Sequence, residues 1–174
     1  MENVRNRLLL KPKLGKNVFI AKNAVVIGDV TIGDNVSIWY NVVIRGDVNY
    51  IKIDDDTNIQ DGSIIHVTKD KYPTEIGKRV SIAHSVTLHG CKIEDDCLIG
   101  IGAVILDNSV ISRNSLVAAG AVVPPNKNFP ENSLIVGNPA KVARQLTESD
   151  LEMIKNNAQR YLKYKDIYLD LKLY

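Results

Sequence analysis

An aliphatic residue recurs at every sixth position along most of this chain, and few folds accept such a period. The anchors are Ile20, Val26, Ile32, Ile38 and Ile44, then Ile53, Ile59 and Ile65, then Ile76, Ile82 and Leu88, and finally Ile93, Ile99, Ile105, Ile111, Val117 and Val123. Four places after most anchors stands a small or β-branched residue, as at Val36, Val42, Val80, Val86, Cys97 and Ala103; Lys92 and Lys127 break that second column. A six-residue period fits neither the turn of an α-helix nor the alternation of a strand. It fits a coil with three flat sides, each side a short strand followed by a turn. Polar Gly, Asp and Asn residues between anchors, as in IGDVTIGDN from Ile27 to Asn35, supply the turns. Three hexads close one coil, and successive coils stack about 4.8 Å apart with the anchors inside. The seventeen anchors make nearly six coils.

Three breaks interrupt the register: extra residues near Tyr50–Lys52, more in the Thr68–Thr74 loop, and one residue missing near Lys92. In a regular solenoid, breaks are where side chains are re-aimed for function. The repeat is expected to end near Val123-Pro124-Pro125, because proline cannot donate to a ladder. Beyond Gly137-Asn138-Pro139-Ala140-Lys141 the spacing turns helical. Thr147 with Asp150 forms a capping pair, followed by Leu151, Ile154, Ala158, Tyr161, Leu162, Tyr168 and Leu169. The expectation is one domain over 1–174: an all-β solenoid within 11–140 after an N-terminal lead-in, and a C-terminal α-helix over 147–171 packed along it. Tyr161, Tyr164, Tyr168 and Tyr174 are assigned to packing.

Composition narrows the partners. A net charge of +2 without any Lys/Arg tract leaves no footprint for nucleic acid. No apolar stretch approaches the length that spans a bilayer, and MENVRNRLLLKPK lacks the features of a secretory signal. The two cysteines are too few for a disulfide framework and fit a reducing cytoplasm. Cys97 falls in the small core column. Cys91, two residues after His89 at a register break, is the candidate for oxidation sensing.

The chain has three histidines, all in one short stretch. His66 and His89 each follow an anchor directly, and their anchors are three hexad steps apart. One full coil therefore separates them, and they stack on one face within reach of a common ion. His84 stands two places after Ile82, one side of the triangle earlier. It is expected to reach the equivalent ion of a neighbouring chain, which implies a closed trimer with the metal sites between subunits. Arg45 stacks below His66, Asp47 lies close enough to pair at the subunit edge, and Gln60 falls on the face that carries His84. The plainer alternative is that these residues knit a trimer interface through hydrogen bonds alone.

The segments VVIRGDV, TNIQDGSIIHV and IAHSVTLHGCKI resemble the signatures of the γ-class carbonic anhydrase-like hexapeptide proteins, and the chain is closest to their compact bacterial branch, often labelled acyltransferase-like. The likeness runs from about residue 10 into the C-terminal helix. It implies a left-handed β-helix, metal ligands at His66, His84 and His89, an arginine–aspartate pair at Arg45 and Asp47, and active-site amides at Asn58 and Gln60. Two features depart from the active pattern. Val48 stands where a glutamate follows RGD, and the loop VTKDKYPTEIG is short, with Asp70 and Glu75 its only carboxylates.

The resemblance implies reversible hydration of CO2 to bicarbonate at Zn2+, with Fe2+ or Co2+ able to take the same ligands. Gln60 would orient the nucleophile or a bicarbonate oxygen, and Arg45 would hold Asp47. Two other readings stay open: acyl transfer from an acyl-CoA with a histidine as base, and a non-catalytic metal-binding trimer.

Overall fold

The computed structural model describes residues 2–173 and forms a left-handed parallel β-helix of about seven turns with a C-terminal helix along one side. The first face stacks Val26, Ile44, Ile65, Leu88, Ile105 and Val123. The second stacks Leu14, Ile32, Ile53, Ile76, Ile93, Ile111 and Phe129. The third stacks Ile20, Ile38, Ile59, Ile82, Ile99, Val117 and Ile135. Every pairing in these stacks is parallel, so one coil's backbone N–H groups donate to the carbonyls of the next. The core is the pile of anchors itself, sealed from solvent from Ile32 to Ile135.

The repeat does not end at Val123. Phe129 and Ile135 add two further rungs on the second and third faces. Pro124 is tolerated because Val122–Val123 is the last rung of the first face, and no carbonyl waits above it for the missing N–H.

The corners explain the polar residues between anchors. Most turns take a left-handed residue, and Asn35, Asn41, Asp56, Asp96, Asn108, Asn114 and Asn126 supply it at φ between 55° and 62°. Gly33 serves a second need. A Cβ there would stand 2.5 Å from Oδ1 of Asp55, which instead accepts the Asp34 N–H at 3.0 Å. The carboxylate of one coil thus caps the turn of the coil below.

Two elements lie outside the expected pattern. The lead-in forms a short helix, α1 (Glu2–Leu8), whose Arg7 pairs with Asp29 at the base of the coil. At the other end, Ser133–Gly137 turns back through Ala140–Gln145 as an antiparallel hairpin.

The C-terminal helix α2 (Glu148–Asp170) starts at Thr147, with both halves of the capping box formed to Asp150. It covers the third face, where Trp39 meets the ring edges of Tyr161 and Tyr168 at 5.5 and 4.9 Å. Tyr164 meets the ring of Tyr161 edge-on, and Tyr174 lies outside the described residues. Thr147→Ala is expected to cost about 1 kcal/mol, read as a lower urea midpoint at unchanged slope. An unmoved midpoint would mean that the cap adds nothing net.

The three outer surfaces differ. The second face carries charge, with Lys52, Glu75 and Lys92 in register. The third lies under α2. The first is bare and apolar, with Val25 and Ile64 about half exposed. Among the described residues, no helix is long and apolar enough to cross a membrane.

Candidate metal site

His66 and His89 end the strands Ile64–His66 and Thr87–His89, which pair in register on the first face. Nδ1 of His66 lies 3.2 Å from Nε2 of His89. Two nitrogens bound at about 2.0–2.1 Å to one tetrahedral ion would stand about 3.3 Å apart. The pair already has the separation that a shared ion requires.

Each ring's other nitrogen meets a carboxylate. Nε2 of His66 is 2.9 Å from Oδ1 of Asp47, and Nδ1 of His89 is 2.6 Å from Oδ1 of Asp107. A carboxylate behind an imidazole fixes the ring's orientation and makes its free nitrogen a better donor to a metal. Burial alone would raise the Asp47 carboxyl. The hydrogen bonds from His66 and Arg45, with the nearby guanidinium charge, outweigh burial and hold it below the ordinary carboxylate range. Arg45 and Asp47 also form an ion pair, so Arg45, Asp47, His66 and His89 make one cluster.

His84 belongs to a different cluster. It follows the strand Ser81–Ile82 at the corner between the third and first faces, with Nδ1 3.1 Å from Asp61. Gln60 is buried on the same side. Its amide donates to Oδ1 of Asn58 at 3.0 Å, and Asn58 donates to the Ser81 hydroxyl at 2.9 Å. These amides fix each other on the His84 side of the fold. Beside them a groove of about 500 Å³ runs under α2, lined by Gln60, His84, Ile101, Arg160, Tyr161 and Tyr164. Among the described residues of one chain, no three His, Cys, Asp or Glu side chains converge on a point. The two clusters border opposite edges of the bare first face.

The loop and the cysteines settle into place around this geometry. Thr68 donates its hydroxyl to Oδ2 of Asp107 at 2.8 Å. Glu75 accepts from the Tyr50 hydroxyl at 2.6 Å on the outer side of the second face, and Val48 packs against the core. Burial pushes both thiols, Cys91 and Cys97, up to about 12. Cys91 is therefore a packed thiol with negligible thiolate, which removes the basis for oxidation sensing. Asp107, Thr68 and Asp61 were not singled out from the sequence. The available signal for Asp107 was an acid in the corner column one coil beyond a histidine.

Comparison with known proteins places this geometry in context. The family described as "Bacterial transferase hexapeptide (six repeats)" matches residues 11–46 and 90–125. A "Probable carbonic anhydrase" from Methanocaldococcus jannaschii is 52% identical over 88% of this chain and 96% of its own length. "Gamma carbonic anhydrase 2, mitochondrial" from Arabidopsis thaliana is 43% identical over 90% of this chain, which spans 58% of that longer protein. The crystal structure of a hexapeptide transferase family protein from Anaplasma phagocytophilum matches with a TM-score of 0.86 at 38% identity, covering 90% of this chain and 92% of that one. With its repeat, its histidine pair and these relatives taken together, the chain belongs to the γ-carbonic anhydrase-like family of hexapeptide-repeat proteins.

Proposed function

We propose that this protein catalyses the reversible hydration of CO2 to bicarbonate as a metal-dependent homotrimer in the cytoplasm. Zn2+ is the proposed ion, with Fe2+ or Co2+ suited to the same imidazoles. The observation that carries this reading is the pair of carboxylate-backed nitrogens of His66 and His89, 3.2 Å apart at one edge of the first face, with His84 and its own carboxylate partner at the other edge. A three-fold axis lined by the first faces would bring each chain's His84 to the His66 and His89 of the next. It would also cover Val25, Ile64 and Ile101, all now substantially exposed.

His66, His89 and a neighbouring chain's His84 would hold the ion through neutral imidazoles, and the ion would supply a water whose pKa is lowered to about 7. Asp47 and Asp107 keep two of those imidazoles oriented. Arg45 neutralises Asp47 and holds it at the subunit edge. Gln60, fixed by Asn58, offers its amide to the nucleophile or to a bicarbonate oxygen. Proton export is the slow step in this scheme, because Val48 carries no acid and Glu75 is engaged by Tyr50. Acyl transfer needs a single histidine base and leaves the facing nitrogens of His66 and His89 without a purpose.

The test is metal content by mass spectrometry on anaerobically purified protein, with CO2 hydration followed by stopped flow on the same sample. The expected result is about one ion per chain and turnover that rises with buffer concentration. Metal without turnover would leave a non-catalytic metal-binding trimer. Absence of metal, with acetyl-CoA bound, would favour acyl transfer.

A further inference from the structure

Asp107 stands at the corner between the first and second faces, one coil beyond His89, and uses its two oxygens separately. Oδ1 takes Nδ1 of His89 at 2.6 Å, and Oδ2 accepts the Thr68 hydroxyl at 2.8 Å. Thr68 is itself held, its carbonyl accepting from the Asn49 amide at 3.1 Å and its N–H donating to the Tyr72 carbonyl at 2.9 Å.

Gly90 makes the room for this arrangement. A Cβ on residue 90 would lie 2.7 Å from Oδ1 of Asp107 and 3.2 Å from the Thr68 hydroxyl oxygen, and its φ of +57° is one that other residues rarely adopt. The glycine falls in the shortened hexad between Leu88 and Ile93. There the Asn108 N–H donates to its carbonyl at 2.7 Å, locking the two coils together beside the histidine.

We infer that Asp107, braced by Thr68 in the space that Gly90 leaves, is a positioning residue for a divalent metal ion: it holds His89 with the proton on Nδ1 and turns Nε2 toward His66. The inference rests on the metal reading proposed above and adds to it the group that sets this ligand before the ion arrives. A free imidazole must choose both a tautomer and a rotamer on binding a metal, and the carboxylate makes both choices in advance. The Thr68 hydroxyl stops that carboxylate from swinging away, so its loss should be felt at the metal through Asp107.

The test is Zn2+ affinity, measured by competition with a chromophoric chelator, together with thermal melting of the metal-free protein. Asp107→Ala is expected to weaken Zn2+ binding about 10- to 100-fold. Asp107→Asn, which keeps an oxygen to accept from Nδ1–H, should recover part of that loss. Thr68→Val should weaken binding by less than Asp107→Ala, while Thr68→Ser holds near the wild-type value. The metal-free melts should coincide. Asp107→Ala binding Zn2+ as tightly as wild type would overturn the role of Asp107 alone. Should Asp107→Ala melt well below wild type, Thr68→Val decides instead, and unchanged affinity in that variant overturns the inference. Wild-type protein that takes up no Zn2+ overturns the metal reading and this inference with it.

Discussion

His84→Ala is expected to empty the metal site and leave the β-helix standing. The ring lies at a corner, outside the pile of anchors, and pairs with the partly exposed Asp61. Its loss therefore opens no cavity in the core, and the melting temperature should move little. The metal should respond very differently. His66 and His89 hold only two nitrogens of the three that a catalytic zinc site uses, so metal content is expected to fall from about one per chain to below about one-tenth. Mass spectrometry of the dialysed protein and a thermal melt on the same sample check both halves. Undiminished metal in this variant would remove His84 from the ligand set and, with it, the argument that the site is shared between chains.

Ile64→Glu is expected to separate the proposed trimer into folded single chains. Ile64 points outward from the middle of the first face, in register with Val43 on one side and Thr87 on the other, and is 46% exposed in the single chain. Around a three-fold axis its copies would face one another away from water. An unpaired carboxylate there costs several kcal/mol in desolvation, and three like charges add repulsion. Light scattering should report the mass of one chain, and circular dichroism an intact β-helix. Metal should be lost as well, since no separated chain holds three ligands. A variant that remains trimeric would show that the first face is not the interface.

The stacking of His66 on His89 could be read from the anchors, because both histidines follow a rung directly and a rung-to-rung step is fixed by backbone pairing. The reading broke down where neighbours are set by bends. Asp107 meets His89 only because Gly90 has no side chain and the hexad around it is one residue short. The end of the repeat was misplaced for a related reason: Pro124 and Pro125 forbid a strand only where a ladder partner exists, and the first face has none above Val123. Helix α1 gave no period to read, being only seven residues long. The fate of Glu75 was equally hidden, since its partner Tyr50 comes from a strand that turns a corner through an inserted segment.

What the sequence by itself determined is the coil, its three faces and the face on which each histidine lies. Those follow from a period, and a period is a local property that burial of every sixth side chain enforces along the whole chain. What only the tertiary structure decided is which polar atoms meet: the carboxylates behind His66 and His89, and the amide pair of Gln60 and Asn58. Such contacts depend on a few ångströms of approach at corners, where glycines, insertions and missing residues alter the path of the backbone, and no repeat encodes that distance.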